Sequence, residues 1–345
     1  LAVELERPVS FNNVPTIFFS RQWSEAYKYS RPLARWLEAH VADFDVVHIH
    51  AVFSHACLAA AKACRKRGVP YIVRPLGTLD PWSLRQKSAK KKLLWHLSVK
   101  RMLDGAGAIH YTAIPEQKLA EESLSLGRGV VVPLGIEMDS IGENGDIETP
   151  QALDPSLGNH PYVLVLSRLH PKKGLELLLP AFLSLAKQSE FAEWKLVLAG
   201  DGDAKYVSLL REPAEREGMS ERVIFVGWLQ GEQKRVVLQR ASLLALTSYQ
   251  ENFGLCVVEA LACGVPVILS PHVNLAPEVE AAGAGWVTPL EPGALESTLA
   301  AIMRDPHGRA QRGAAGKELV RRRFTWGAVA NQLVSVYDSA ALAAT

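Results

Sequence analysis

Glu251-Asn252-Phe253-Gly254-Leu255-Cys256-Val257-Val258-Glu259-Ala260-Leu261-Ala262-Cys263-Gly264-Val265-Pro266-Val267 sets the reading of this chain. From Leu255 to Val267 the single charge is Glu259. A carboxylate alone in such an apolar run is half-buried and needs a hydrogen-bonding partner. Gly254 opens the run and Gly264-Val265-Pro266 closes it, so it reads as a buried helix feeding a strand. The free backbone N–H groups of such a helix start suit phosphate or sugar oxygens. Glu251 stands beside that start, and the two glutamates together read as a ligand-holding pair. The plainer alternative is one capping and one solvated glutamate.

The same alternation continues outward in both directions. Short apolar runs at residues 14–19, 46–49, 71–74, 108–111 and 130–132 read as strands. Residues 31–41, 55–67, 88–104 and 116–126 between them have helical patterns. In the second half the strands fall at 162–166, 194–199, 223–225, 243–246, 267–269 and 285–287, separated by helices near 174–188, 204–217, 232–239 and 254–262. Strands alternating with helices mean parallel sheets with right-handed crossovers. The fold class is therefore α/β, with two Rossmann-like, doubly wound parallel-sheet domains. Ligands of such sheets bind at the carboxyl ends of the strands, and two such edges facing each other make a cleft. A break rich in Gly, Asn, Pro and acids runs from Asp139 to Pro161. It divides an N-terminal domain of residues 1–140, a linker of 141–160 and a second domain of 161–325. Residues 306–342 read as helix throughout, broken at Gly313 and at Thr325-Trp326-Gly327. The last piece, 326–345, is expected to pack back towards the first domain.

The chain of 345 residues is 48% apolar and 21% charged with a net charge of +2, ordinary for a soluble globular protein. Its four cysteines, Cys57, Cys64, Cys256 and Cys263, sit in helical Ala/Leu/Val patterns and form no C-x-x-C pair. That argues against both a disulfide framework and a cysteine metal site. No apolar run reaches the length of a transmembrane helix, and no signal peptide is visible. The expected location is the cytoplasm, with a peripheral position on the inner membrane face as a further expectation.

Four strand ends in the second domain carry polar chemistry. Arg168 and Lys173 follow the first strand in Ser167-Arg168-Leu169-His170-Pro171-Lys172-Lys173-Gly174, a guanidinium fork and a point charge suited to a diphosphate. Gly200-Asp201-Gly202 ends the second, where glycines permit close backbone approach to a ligand. Trp228 and Leu229 end the third and either line a flat base pocket or belong to the core. The Glu251–Glu259 stretch ends the fourth.

This ordered set resembles the donor half of the retaining glycosyltransferases of family four, which have the GT-B architecture. The resemblance extends over essentially the whole chain, and the spaced glutamate pair is its most specific part. It implies that Arg168 and Lys173 neutralise the donor pyrophosphate and that Glu259 binds ribose hydroxyls. It implies too that Glu251 holds donor-sugar hydroxyls, while backbone amides of Asn252, Phe253, Gly254 and Leu255 cradle sugar and phosphate. Such enzymes need no metal or other cofactor, because Arg, Lys and the helix dipole answer the diphosphate charge. Asp201-Gly202-Asp203 is accordingly read as a glycine turn with surface acids rather than a metal triplet.

In the first domain, His48 and His50 share one strand face, and His50 stands at the carboxyl end. His48 reads as structural and His50 as acceptor-side. Arg74-Pro75-Leu76-Gly77-Thr78-Leu79-Asp80-Pro81-Trp82 forms a long turn that adds Arg74, Gly77, Thr78 and Asp80 to the acceptor side. Many relatives carry a His in this loop. Here Leu76 and Asp80 stand instead, similar to a subgroup with an Asp/Glu-Pro-Trp loop, so no catalytic base is identified. Relatives also begin with a strand and a Gly-rich loop near the donor phosphate, a unit the first domain is expected to lack.

Between Lys62 and Arg101 there are twelve Lys/Arg against one acid, Asp80. Within it, residues 82–102 interleave Trp82, Leu93, Leu94, Trp95 and Leu97 with cations. This suits an anionic membrane surface or lipid-linked acceptor. A solvated Lys face over a core stripe, or an anionic soluble acceptor, are the alternatives, and nucleic acid fits least.

The resulting expectation is a retaining, metal-independent hexosyltransferase. It takes sugar from a UDP- or GDP-linked donor to a saccharide or lipid-linked acceptor, in polysaccharide or glycolipid synthesis. The rivals are a nucleotide-sugar 2-epimerase on the same fold and a non-catalytic nucleotide-sugar-binding subunit.

Overall fold

A computed structural model describes residues 3–23, 25, 27–85, 88–137 and 157–342. The greater part of the expected linker, from 138 to 156, lies outside the described residues. The chain divides into two compact units, one of Leu1–Val132 with Ala330–Thr345 and one of Pro133–Val329.

The first unit opens with β1 (Pro8–Phe11) and β2 (Val14–Ile17), paired antiparallel. The expected strand at 14–19 is thus half of a hairpin and not part of a parallel sheet. Asn12 and Asn13 turn it with φ of 51° and 61°, the left-handed pair a tight hairpin requires. Helix α1 (Arg31–His40) is capped by Ser30, whose hydroxyl accepts from Leu33 N at 3.2 Å. Then follow β3 (Val47–His50), α2 (His55–Arg67) and β4 (Tyr71–Arg74). The helix expected over 88–104 is divided into α4 (Ser88–Leu94), a π-helical turn (Trp95–Val99) and α5 (Lys100–Asp104), preceded by α3 (Pro81–Arg85). β5 (Ala108–Tyr111), α6 (Ile114–Leu124) and β6 (Gly129–Val131) complete a parallel sheet of order β3-β4-β5-β6. Tyr71, Val73, Ile109 and Tyr111 pack one face against α2 and α5 through Cys64, Met102 and Leu103.

The second unit contains β7 (Tyr162–Leu166), α7 (Leu175–Ala186), β8 (Lys195–Ala199), α8 (Ala204–Arg216), β9 (Val223–Gly227) and α9 (Gly231–Arg240). The chain then returns through β10 (Leu243–Leu246), α10 (Leu255–Ala262), β11 (Val267–Leu269), α11 (Ala276–Ala281) and β12 (Gly285–Val287). Helices α12 (Pro292–Arg304) and α13 (Pro306–Arg323) follow. All six strands are parallel, in the order β12-β11-β10-β7-β8-β9. The order reverses between β7 and β10. At such a switch point the loops leaving neighbouring strands diverge and leave a crevice. Two apolar layers, one per sheet face, hold the unit together, and α10 belongs to one of them through Val257, Val258 and Leu261.

Gly313 does not break α13, contrary to expectation. A Cβ there would stand 2.0 Å from Gly264 O, so this glycine lets α13 lie against the turn that ends α10. The final helix α14 (Trp326–Leu342) enters the first unit from Ala330 onward. There Ala340, Val336 and Tyr337 cover Ile72 and Ala108 on the second face of the sheet.

Candidate functional site

The reversal point of the second sheet collects the polar side chains. β7 ends in Ser167 and Arg168, and β10 ends in a loop that runs to Glu251. The backbone of Glu251 is fixed by its N–H to His272 O (3.0 Å) and its C=O from Asn274 N (3.0 Å). Gly254, with φ 81°, starts α10. A side chain there would carry left-handed strain and press on Leu246. Ser167, Arg168, Lys173, Gly200, Trp228, Leu229, Glu251, Gly254, Leu255 and Glu259 thereby come to line one cavity of about 250 Å³.

Two ion pairs cross this cavity. Lys173 pairs with Glu251, and both are mostly buried. Lys234 of α9 pairs with Glu259 of α10 at 2.7 Å. Arg168 is exposed and has no ion-pair partner among the described residues. Lys234 did not stand out in the sequence, where Gly231-Glu232-Gln233-Lys234-Arg235 looks like a solvated charge run. A usable signal was present: a half-buried Glu259 needs a cation, and α9 begins just after Trp228-Leu229. Burial pushes the Cys256 thiol up to about 12, which keeps it protonated and unfit as a nucleophile.

Gly200 and Gly202 have a different use from the expected close approach to a ligand. A Cβ on Gly200 would lie 1.8 Å from Ser167 O, and one on Gly202 would lie 2.1 Å from Leu169 O. These glycines let the loop after β8 run beside the loop after β7, where Leu169 N donates to Asp201 O at 2.8 Å.

 Gly200 still lines the cavity, whereas Asp201 and Gly202 do not. Asp203 caps α8 by accepting from Lys205 N at 3.1 Å and Tyr206 N at 3.3 Å. Among the described residues, no group of His, Cys, Asp or Glu is arranged to hold a metal ion. Phe253 lies in the core, edge-on to Phe324, and Asn252 is outside the lining. Leu229 is buried and Trp228 is 56% exposed at the cavity rim.

In the first unit, His50 and Arg74 stand side by side at the carboxyl ends of β3 and β4, and Gly77, Thr78 and Asp80 lie in the loop that follows β4. His50 is pushed below its usual range by burial and then by Arg74. Arg74 Nε is buried and has no hydrogen-bond partner among the described residues. Gly77, at φ 69°, donates its N–H to Glu116 Oε1 at 2.9 Å, while Thr112 N and Oγ1 donate to Glu116 Oε2 at 2.7 Å. Glu116 is 5% exposed and holds this loop, a role its place in the amphipathic pattern of α6 concealed. Thr78 Oγ1 donates to Pro75 O at 2.6 Å. Asp80, expected on the acceptor side, caps α3: its Oδ1 accepts from Trp82 N at 2.8 Å and Ser83 N at 3.4 Å.

His48 is tied into the sheet. His110 Nε2 donates to Val132 O at 2.7 Å, so its Nδ1 accepts from His48 Nε2 at 3.2 Å. His48 Nδ1 then accepts from the Tyr337 hydroxyl at 2.9 Å. Burial first, then neighbouring His50, His110 and Arg74, bring His48 down to about 3. Burial brings His110 down to about 4.

Residues 153–319 match the family model of glycosyl transferases group 1, and residues 3–135 match that of the glycosyl transferase 4-like domain. The phosphatidyl-myo-inositol mannosyltransferase of Mycobacterium leprae is 28% identical over 313 residues, 89% of this chain and 76% of that protein. The mannosylfructose-phosphate synthase of Agrobacterium fabrum is 30% identical over 183 residues, 51% of this chain and 40% of that protein. The match thus spans less than half of the latter's length. Among solved structures, Anabaena HepE in complex with UDP and glucose superposes with a TM-score of 0.74 at 21% identity, covering 95% of this chain and 87% of that one. Sucrose-phosphate synthase from Thermosynechococcus elongatus gives 0.72 at 22%, covering 97% and 85%. At these identities the likeness is one of fold.

Proposed function

We propose that this chain, which belongs to the group 1 glycosyltransferases, moves a sugar from a nucleoside-diphosphate sugar to an acceptor hydroxyl with retention at the anomeric carbon. The observation that carries this reading is the convergence of Arg168, Lys173, the α10 N-terminus, Glu251 and Glu259 on one cavity at the sheet's switch point. The diphosphate lies against Arg168, Lys173 and the first N–H groups of α10, where cations and helix dipole stabilise the charge of the departing phosphate. Glu251 accepts hydroxyl hydrogens of the donor sugar. Glu259, one helical turn further along α10, accepts those of the ribose, and Trp228 offers the base a flat face.

Both glutamates exchange a lysine for sugar hydroxyls when the donor binds. Lys173, released from Glu251, turns to the phosphate. The bond from the anomeric carbon to the leaving phosphate breaks as the acceptor oxygen attacks from the same face. The proton of the acceptor hydroxyl passes to that phosphate, so the step needs no side-chain base. These cations answer the diphosphate charge in place of a metal. His50 and Arg74 are the residues of the first unit assigned to the acceptor.

Calorimetric titration with UDP, GDP and ADP tests the donor reading. Binding of one diphosphate that is weakened by Glu259→Gln supports it, and no binding of any of them overturns it. A product sugar with inverted anomeric configuration, read by NMR coupling constants, would overturn retention alone. Residues 82–102 carry a second proposal, contact with an anionic membrane surface, because Leu93 is 62% exposed beside Lys92.

A further inference from the structure

A groove separate from the donor cavity runs along α2 in the first unit, bounded by α1 on one side and by the π-helical turn and α5 on the other. It has a volume of about 630 Å³, within the range of small-molecule sites. Its composition changes from end to end. At the start of α2 stand the rings of Tyr27 and His55, 6.0 Å apart. The floor is made of small and apolar groups, Ala34, Ala59 and Met102. The far end is cationic, with Lys62, Lys66 and Arg101.

Topology gives the groove a direction. α2 begins at His55, soon after β3 ends at His50, and finishes at Arg67 just before β4 begins. The aromatic end therefore lies at the carboxyl edge of the sheet, where His50 and Arg74 are. The cationic end lies towards the opposite edge. At 1.5 Å per residue, Lys62 and Lys66 stand about 10 and about 16 Å along the helix from His55.

The charges at that end have no internal explanation. Among the described residues, Lys62, Lys66 and Arg101 have no hydrogen-bond or ion-pair partner, while the Arg65 guanidinium is engaged with the Tyr71 hydroxyl at 3.3 Å. Among the described residues, Glu38 of α1 is the one acid lining the groove. Lys62 and Lys66 are spaced i,i+4, an arrangement in which like charges destabilise a helix. The helix dipole favours cations in the last turn of α2, but Lys62 stands too early to gain from it.

We infer that this groove binds an elongated acidic saccharide, whose neutral end lies at Tyr27 and His55 and whose anionic groups lie along Lys62, Lys66 and Arg101. Under the glycosyl-transfer reading it is the acceptor, presented at the sheet edge by His50 and Arg74; only the word acceptor rests on that reading. Rings at the mouth and an apolar floor fit sugar faces. Cations set back from the edge select a chain that carries negative charge behind its growing end.

The test titrates the full chain with hexagalacturonate, an acidic oligosaccharide, and with maltohexaose, a neutral one. The variant is Lys62→Gln with Lys66→Gln and Arg101→Gln. Hexagalacturonate is expected to bind, to weaken about tenfold in the variant, and to weaken as salt rises; maltohexaose is expected not to bind. Unchanged UDP or GDP binding in the variant shows that the fold is kept. Equal affinity of wild type and variant for hexagalacturonate overturns the inference, as does equal binding of the two oligosaccharides. Loss of binding to phosphatidylglycerol vesicles in the variant, with hexagalacturonate binding unchanged, overturns it in favour of a lipid surface. Absence of nucleoside diphosphate binding in the wild type overturns the donor reading instead, and hexagalacturonate binding then leaves the groove as an acidic-saccharide site without the acceptor role.

Discussion

Lys234 and Glu259 form an ion pair at 2.7 Å between the successive helices α9 and α10, and the pair stands in the wall of the cavity at the switch point of the sheet. A carboxylate that is 16% exposed is thereby compensated before any ligand arrives. Lys234→Met should leave Glu259 without its cation and cost about 1 kcal/mol. Glu259→Gln removes the charge itself and should cost less stability while weakening nucleoside diphosphate binding about tenfold. Thermal melts and titrations on the two variants separate these effects. A Glu259→Gln variant with unchanged affinity would remove Glu259 from the nucleotide site.

Arg168 and Lys173 are assigned to the diphosphate. Arg168→Ala combined with Lys173→Ala is expected to lower nucleoside diphosphate affinity about a hundredfold. Nucleoside affinity should change little, because the contacts proposed for ribose and base are with Glu259 and Trp228. Parallel losses for uridine and UDP would refute the phosphate assignment.

The loop that carries Arg168 depends on Gly200. Gly200→Ala places a Cβ 1.8 Å from Ser167 O at a φ of 147°. The expected result is a destabilisation of about 2–4 kcal/mol, together with weakened diphosphate binding as Arg168 moves with its loop. Wild-type melting and affinity in this variant would show that the two loops do not need their close approach.

His48 and His110 predict how stability depends on pH. Both are lowered in the fold, to about 3 and about 4, from an ordinary value near 6.5. The unfolded chain therefore binds more protons below about pH 6.5, and stability should fall as pH drops from there towards 4. Their contribution is complete above that range. Melting at pH 7.5 and pH 5 should show a loss of about 2 kcal/mol from each histidine, about 4 kcal/mol together, roughly halved in His48→Gln. A pH slope identical in His48→Gln and wild type would assign the effect to other groups.

For the membrane surface, Lys92→Glu with Leu93→Asp is expected to abolish binding to phosphatidylglycerol vesicles and leave UDP or GDP affinity unchanged. Co-sedimentation of the variant at the wild-type level would return residues 82–102 to a solvated face.

The second unit was legible because its strands are buried on both faces and read as continuous apolar runs, as in Tyr162–Leu166 and Lys195–Ala199. Each run ends where the polar residues begin, so the cavity lining could be located strand by strand. The partners of buried carboxylates were not legible. Lys234 and Glu259 are 25 residues apart, and Gly77 and Glu116 are 39 apart, separations at which local pattern says nothing about contact. Gly313 was misread for a related reason. Glycine in a helix suggests a break until the opposing backbone of Gly264 is known. Asn12-Asn13 is a local hairpin signal that the apolar pattern of the run after it does not carry.

The assignment of residues beyond Ala330 to the first unit governs how this protein can be taken apart. A fragment ending at Val132 would lose Ala340 and Val336 from over Ile72 and Ala108, and Tyr337 from His48. It would present a bare sheet face to water. Independent production of the first unit therefore calls for its terminal helix, supplied through a bridging peptide or as a second strand of polypeptide. Exchange of parts with a relative follows the same rule, since residues 3–132 and 330–342 must come from one parent while 133–329 is free to come from another.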